Sequence, residues 1–137
     1  MNKLLYLTAF AASSLVGCRH DSDSPAPALS DDLAGSWRLT TLQCYCPASQ
    51  PLPNEVLKLD ASQHFQLFRN GTLAAEGTYA TGQGPSCSAS NIVPVITLTA
   101  SSSTVYVPKG AYTVENNVLV IDQCSAADGP RYTYQRQ

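Results

Sequence analysis

The segment His64-Phe65-Gln66-Leu67-Phe68-Arg69-Asn70-Gly71-Thr72-Leu73-Ala74-Ala75-Glu76-Gly77-Thr78-Tyr79 decides the fold class. Two runs of alternating apolar and polar residues meet at Asn-Gly, a strong short-range signal for a β-hairpin. A two-residue loop would set Leu67 opposite Ala74 and Phe65 opposite Glu76, mixing a carboxylate with apolar side chains. A three-residue loop, Arg69-Asn70-Gly71 with Gly71 left-handed in a G1 bulge, pairs Leu67 with Leu73 and Phe65 with Ala75. That face continues through Gly77 and Tyr79, so the sequence predicts the bulged loop.

Working outward, the same period-two pattern predicts strands at Ser36–Cys44, Glu55–Leu59, His64–Arg69, Thr72–Thr81, Ile92–Thr99, Thr104–Val107, Ala111–Glu115, Val118–Asp122 and Arg131–Arg136. At Asn116-Asn117 a two-residue turn, open to asparagine because it tolerates positive φ, pairs Val114 with Leu119 and Tyr112 with Ile121. In the first strand Trp37 and Leu39 occupy odd positions, while Leu42, Cys44 and Cys46 occupy even ones. The inward face must therefore switch near Thr40-Thr41, which a bulge achieves. Pro47, Pro51 and Pro53 then break the chain into a loop, and Pro94 argues for an edge or a bulge in its strand. Gly82-Gln83-Gly84-Pro85 reads as a loop pinned by a disulfide. Short strands joined by short turns make an all-β domain, an antiparallel barrel or sandwich.

Composition bounds the function. The 137 residues hold 8 Lys plus Arg against 10 Asp plus Glu, and charged residues make up 13%, about half the ~25% of ordinary soluble domains. A chain this short is not a multidomain enzyme, and its balance lacks the basic excess that nucleic acid demands.

The first residues place it at a membrane. Met1-Asn2-Lys3, the apolar run from Leu4 to Ala12, and the small residues that follow read as a secretory leader over 1–17. The run is too short for a spanning helix, which takes ~20 apolar residues. Leu15-Val16-Gly17-Cys18 resembles the lipobox of bacterial lipoproteins. That resemblance implies cleavage before Cys18, diacylation of its thiol, a third acyl chain in Gram-negative bacteria, and anchoring in the cell envelope, with the outer membrane expected. Two chains suffice for stable anchoring where one does not. Residues 18–32, rich in Asp, Ser and Pro, read as an acidic disordered tether. The domain then spans 33–137, where six basic and six acidic residues balance from Gly35 onward.

With Cys18 lipidated, four of the 5 cysteines remain: Cys44, Cys46, Cys87 and Cys124. A cysteine metal site wants four ligands at recognisable spacing, and thioredoxin-type redox pairs carry two intervening residues where Cys44-Tyr45-Cys46 has one. A disulfide framework is the better reading. In an extended chain Cys44 and Cys46 do not bond comfortably to each other, so each is expected to bond to Cys87 or Cys124, with both assignments open. Each bridge would then contribute ~3–4 kcal/mol through chain entropy.

Leu33-Ala34-Gly35-Ser36-Trp37-Arg38-Leu39, the hairpin from Phe65 to Tyr79, and the ending from Asp128 to Arg136 resemble, in that order, the lipocalin-like domains of small bacterial lipoproteins. The resemblance spans Leu33 to Gln137. It implies a small antiparallel up-and-down barrel of about eight strands with an interior able to hold one small apolar molecule. It also implies a barrel floor in which Arg136, or else Arg131, covers Trp37 as a cation–π pair. The side chains expected to line the interior are Phe65, Leu67, Leu73, Tyr79, Tyr112, Val114, Leu119 and Ile121. The Thr-Asp-x-x-Tyr pattern of the second lipocalin motif does not occur.

Signs of catalysis are lacking. There is no Gly-x-Ser-x-Gly elbow, no phosphate-binding glycine loop and no His-x-x-x-His pattern. His64 sits at a turn beside Asp60, and the tyrosines at 45, 79, 106, 112, 132 and 134 are equally at home at a barrel rim or a ligand face. The expectation is a monomeric, lipid-anchored non-enzyme, without cofactor or metal, that binds a small apolar molecule. The alternative is a cavity-free module that binds or inhibits another protein, marked by a solid core and a loop of fixed shape.

Overall fold

The computed structural model describes residues 33–47, 50–88 and 90–137. The leader, Cys18 and the tether lie outside them. Eight strands, β1 (Gly35–Gln43), β2 (Glu55–Leu59), β3 (His64–Arg69), β4 (Thr72–Pro85), β5 (Ile92–Ser103), β6 (Lys109–Glu115), β7 (Val118–Asp122) and β8 (Arg131–Arg136), close in sequence order into an antiparallel barrel. A single 3₁₀ turn, Ser125–Ala127, links β7 to β8.

Besides a bulge at Ser101 between β4 and β5, where Glu76 pairs with Ser102 and Gly77 with Ala100, three local features bear on the sequence reading. Leu39 pairs with Tyr134 and Thr41 with Thr133, leaving Thr40 as the extra residue that switches the inward face from odd to even positions. The turn at Asn116-Asn117 has both asparagines at positive φ and sets Val114 against Leu119 and Tyr112 against Ile121. The third corrects the sequence reading of the central hairpin. Asn70 (φ 52°) and Gly71 (φ 79°) form a two-residue turn, with Arg69 opposite Thr72 and Phe68 opposite Leu73. The bulge that keeps Glu76 off the apolar face lies within β4 instead: Leu67 pairs with Ala75, so Ala74 is the extra residue. Two successive left-handed residues give a turn whose twist matches that of the strands, and the parity conflict is resolved inside β4, where the Ala74 carbonyl accepts from Thr104 N (3.0 Å) and Thr104 Oγ1 (3.2 Å).

Two further expectations are corrected. Thr104–Val107 is not a strand. Thr104 is held by Ala74, Val105 and Val107 pack against the core, and the segment closes one barrel end ahead of the buried Pro108. Gly82–Pro85 is not a loop but the end of β4, paired to Val95, Pro94, Val93 and Ile92. Gly84 belongs in a strand here because Val95 covers it: a Cβ at Gly84 would come within 3.2 Å of Val95 Cγ1. β6 pairs with β5 only from Val95 to Thr97. Pro94 is next in line and has no N–H to give, which ends that ladder.

The core comprises Leu33, Trp37, Leu39, Leu57, Leu59, Phe65, Leu67, Ala75, Tyr79, Ile96, Leu98, Leu119, Ile121, Tyr132 and Tyr134, all buried. At the end where β1 starts, the Arg136 guanidinium lies 4.2 Å from the centre of the Trp37 ring and donates to Ala34 O, while Trp37 Nε1 donates to Leu33 O (2.9 Å). Gly35 makes room for this arrangement, since a Cβ there would meet Arg136 Nη1 at 2.6 Å.

Candidate functional site

The side chains expected to line a ligand cavity are placed by the barrel's alternation. Phe65, Leu67, Tyr79, Leu119 and Ile121 are buried in the core, and Tyr112 and Val114 pack half-buried against it. Leu73 is the exception and a correction: it stands 43% exposed on the outer face beside Phe68, because the Ala74 bulge reverses the parity on which its inward placement rested. None of the larger pockets is lined by Leu67, Tyr79, Tyr112, Val114, Leu119 or Ile121. The largest of these, of about 890 Å³, is open and is lined by the buried Leu59 and by Phe65, the one expected lining residue it includes, together with outward polar side chains of β2 to β5 such as Lys58, Gln66, Glu76 and Thr99.

At the other end of the barrel the interior holds one charge. Glu55, the first residue of β2, is fully buried; Arg69 Nε donates to its Oε2 at 2.7 Å and Tyr134 OH to its Oε1 at 2.7 Å. Burial, reinforced by this carboxylate, pushes the Tyr134 phenol well above its ordinary value and the Tyr132 phenol up to about 12. No buried side-chain polar atom among the described residues lacks a hydrogen-bond partner. The network thus satisfies a carboxylate that would otherwise be costly to bury.

After Gln43 the chain leaves the sheet, and here the cysteine expectation is overturned. Cys44 bonds to Cys46, and Cys87 to Cys124. The expectation assumed an extended Cys44-Tyr45-Cys46. The chain bends at Cys44 and Tyr45 as soon as β1 ends, which brings the two Cα atoms to 5.1 Å, inside the range a disulfide spans. Cys87, beyond the end of β4, is tied to Cys124, which leaves β7 with φ 66°.

The short bridge has a consequence for Tyr45. Caught between bonded cysteines and followed by Pro47, it is 92% exposed, the most exposed large apolar side chain of the described residues. The loop that follows carries the exposed Leu52 and the prolines at 47, 51 and 53. Two open hollows flank the bridge. One of about 260 Å³ is walled by Leu42, Cys44, Cys46, Pro47, Gln50, Pro51, Leu52 and Pro53, and one of about 360 Å³ includes Cys44, Tyr45, Ser125 and Asp128.

His64 and Asp60 lie 3.7 Å apart and exposed, but Asp60 Oδ1 already accepts from the backbone N–H groups of Ser62 and His64, the work of a turn-capping carboxylate. No group of three His, Cys, Asp or Glu side chains among the described residues is arranged to hold a metal ion. Sequence reasoning missed the Glu55 network and the presentation of Tyr45. The first had no local signal, since its partners lie 14 and 79 positions away; the second was hidden by the assumption of an extended strand end. Comparison with family models, curated proteins and solved structures finds no match.

Proposed function

We propose that this chain is a lipid-anchored cell-envelope protein whose barrel serves as a protein-interaction module, docking on a partner through the Cys44–Pro53 loop with Tyr45 as its anchor. The observation that carries this reading is a tyrosine 92% exposed on a ring closed by a disulfide. A buried aromatic contributes the largest share of many interfaces, and tyrosine is enriched among such anchors. Holding it on a short ring lowers the ordering cost of binding. The complementary partner carries a cleft that accepts an aromatic ring, as enzyme substrate clefts do, which makes inhibition one form of the activity. The packing supports this reading over capture of a small apolar molecule: Leu67, Tyr79, Leu119 and Ile121, which would line such a site, are buried in the core and border none of the larger hollows. The Leu15-Val16-Gly17-Cys18 motif supports the anchor.

The test places a photo-crosslinking amino acid at position 45 and, as a control, at the exposed Thr113, in cells. Position 45 should yield a discrete protein adduct that Thr113 does not, and Cys44→Ser/Cys46→Ser should abolish it. Identical adducts at both positions, or an apolar molecule retained by the intact protein in native mass spectrometry and displaced with a change in Trp37 fluorescence, would refute the proposal. Cys18→Ser should release the protein from membranes.

A further inference from the structure

The β4–β5 hairpin runs on past the strand beside it. β3 pairs with β4 only from Arg69↔Thr72 to His64↔Thr78, and the last backbone bond on that side is donated by Tyr79 N–H to Gln63 O (2.7 Å). β4 continues to Pro85, paired with β5 alone. Backbone groups of alternate residues point to the same side of a strand, so the Tyr79 bond identifies Thr81 and Gln83 as the residues whose N–H and C=O face the side that β3 has left. Pro94 agrees: it sits opposite Gln83 and has no N–H to give, which only a non-hydrogen-bonded pair of the β4–β5 ladder allows. Among the described residues neither Thr81 nor Gln83 has a backbone partner on that side. Proteins protect such edges with charges, prolines or cover. The outer edge of β5 is blunted by Pro94, whereas the β4 edge from Ala80 to Gly84 reads Ala-Thr-Gly-Gln-Gly, and no charged residue lies between Glu76 and Lys109. The ribbon is also held in place, because Cys87–Cys124 ties its end to the chain beyond β7, and a pre-ordered edge binds at lower entropic cost.

We infer that this edge pairs with the same edge of a second copy of the chain, antiparallel about a two-fold axis at Gly82, joining two barrels through one continuous sheet. The occupant follows from the shape of the window. It is closed at one end where Gln63 holds Tyr79 and at the other by Pro85, equally far on either side of Gly82, so an antiparallel copy of the window fills it from end to end. An axis at Gly82 sets Thr81 opposite the second copy's Gln83, and each such pair exchanges two N–H···O bonds. On the outward face Ala80 meets the second copy's Gly84 and Gly82 meets its own equivalent, so nothing larger than a methyl group stands between the strands. A Cβ at Gly82 meets nothing within 4 Å, which leaves that approach open. In an isologous contact each residue faces a residue of the same patch, so a charge on the axis would face itself; this window carries none. That symmetry is a requirement of self-pairing alone. The inference does not rest on docking through Tyr45.

The experiment uses the oxidised full chain carrying Cys18→Ser. A contact this small is weak, so sedimentation equilibrium is run from micromolar to millimolar concentration and should show a reversible monomer–dimer equilibrium. Gln83→Pro deletes one edge donor from each copy without touching the β4–β5 ladder, and the loss of two bonds should raise the dimer dissociation constant roughly 30-fold. Gly82→Lys sets two ammonium groups against each other at the axis and should leave the monomer. In both variants the urea midpoint followed through Trp37 should stay close to that of the parent chain. Gly82→Cys is the positive arm. Facing residues of a non-hydrogen-bonded pair lie ~4.5 Å apart at Cα, inside the span of a disulfide, so air oxidation should link two copies through position 82 well before it links Thr113→Cys, an exposed site on β6. A chain that stays monomeric at millimolar concentration, with the edge bare or taken by its own residues 19–32, overturns the inference. So does a dimer that survives both Gln83→Pro and Gly82→Lys, or a Gly82→Cys chain that links no faster than Thr113→Cys.

Discussion

Replacing Arg69 by methionine should cost the barrel about 3 kcal/mol. Glu55 is fully buried and its carboxylate accepts hydrogen bonds from Arg69 Nε and Tyr134 OH, each at 2.7 Å. Removing one partner of a buried ion pair typically costs ~3–5 kcal/mol, because the remaining charge stays desolvated. The Arg69 side chain is 30% exposed, so water already screens its half of the pair, which places the loss near the lower end. In urea, with ~1–3 kcal/mol/M for a small domain, the midpoint should fall by roughly 1–3 M, followed through Trp37, the single tryptophan and fully buried. Glu55→Leu/Arg69→Met/Tyr134→Phe removes both charges and the hydroxyl together, and should recover most of the loss, since apolar replacement of a whole buried network is often neutral. A loss below about 1 kcal/mol in Arg69→Met, or a triple variant less stable than Arg69→Met, would show that this carboxylate is not the buried charge the geometry describes.

Removing Cys87–Cys124 (both to Ala) should cost about 4 kcal/mol and removing Cys44–Cys46 about 1.6 kcal/mol, from loop length alone; equal losses in urea unfolding would contradict the pairing. Gly77→Ala should destabilise by about 1–3 kcal/mol or more, because its Cβ would lie 2.1 Å from Thr99 O, whereas Gly82→Ala meets nothing within 4 Å and should leave the melting temperature nearly unchanged. Tyr132, pushed up to about 12 mainly by burial, holds its proton more tightly folded than unfolded. Its contribution is complete below the ordinary phenol value of about 10 and is lost as pH rises toward the folded value. Tyr132→Phe should flatten the fall in urea midpoint over that window, and an unchanged slope would contradict the assignment.

The hairpin faces were legible wherever the conflict of parity stayed within one strand pair. Thr40 and Asn116-Asn117 could be read because apolar residues on both sides report the inward face. At Asn70-Gly71 the same logic correctly demanded an extra residue but could not say on which side of the turn it lay. A loop bulge and a strand bulge restore the same parity for Phe65, but they shift its partner from Ala75 to Gly77 and turn Leu73 outward, an outcome that accompanies Thr104, thirty positions on, holding the Ala74 carbonyl. The Thr104–Val107 segment misled for a related reason: alternation marks a half-buried stretch, and a segment that closes a barrel end is half-buried without pairing.

By itself the sequence pointed to an all-β domain of short antiparallel strands, to the face switch at Thr40, and to an N-terminal run that resembles a lipobox. Period-two patterning, turn residues and a contiguous lipobox-like run are local properties of the chain. Only the tertiary structure decided which cysteines bond, which way Leu73 points, and that a carboxylate lies inside. Those depend on where the chain bends at a strand end and on which distant side chains meet there. The bend at Cys44-Tyr45 turned an expected pair of long staples into one long staple and one small ring, and the ring is what sets Tyr45 out in solvent.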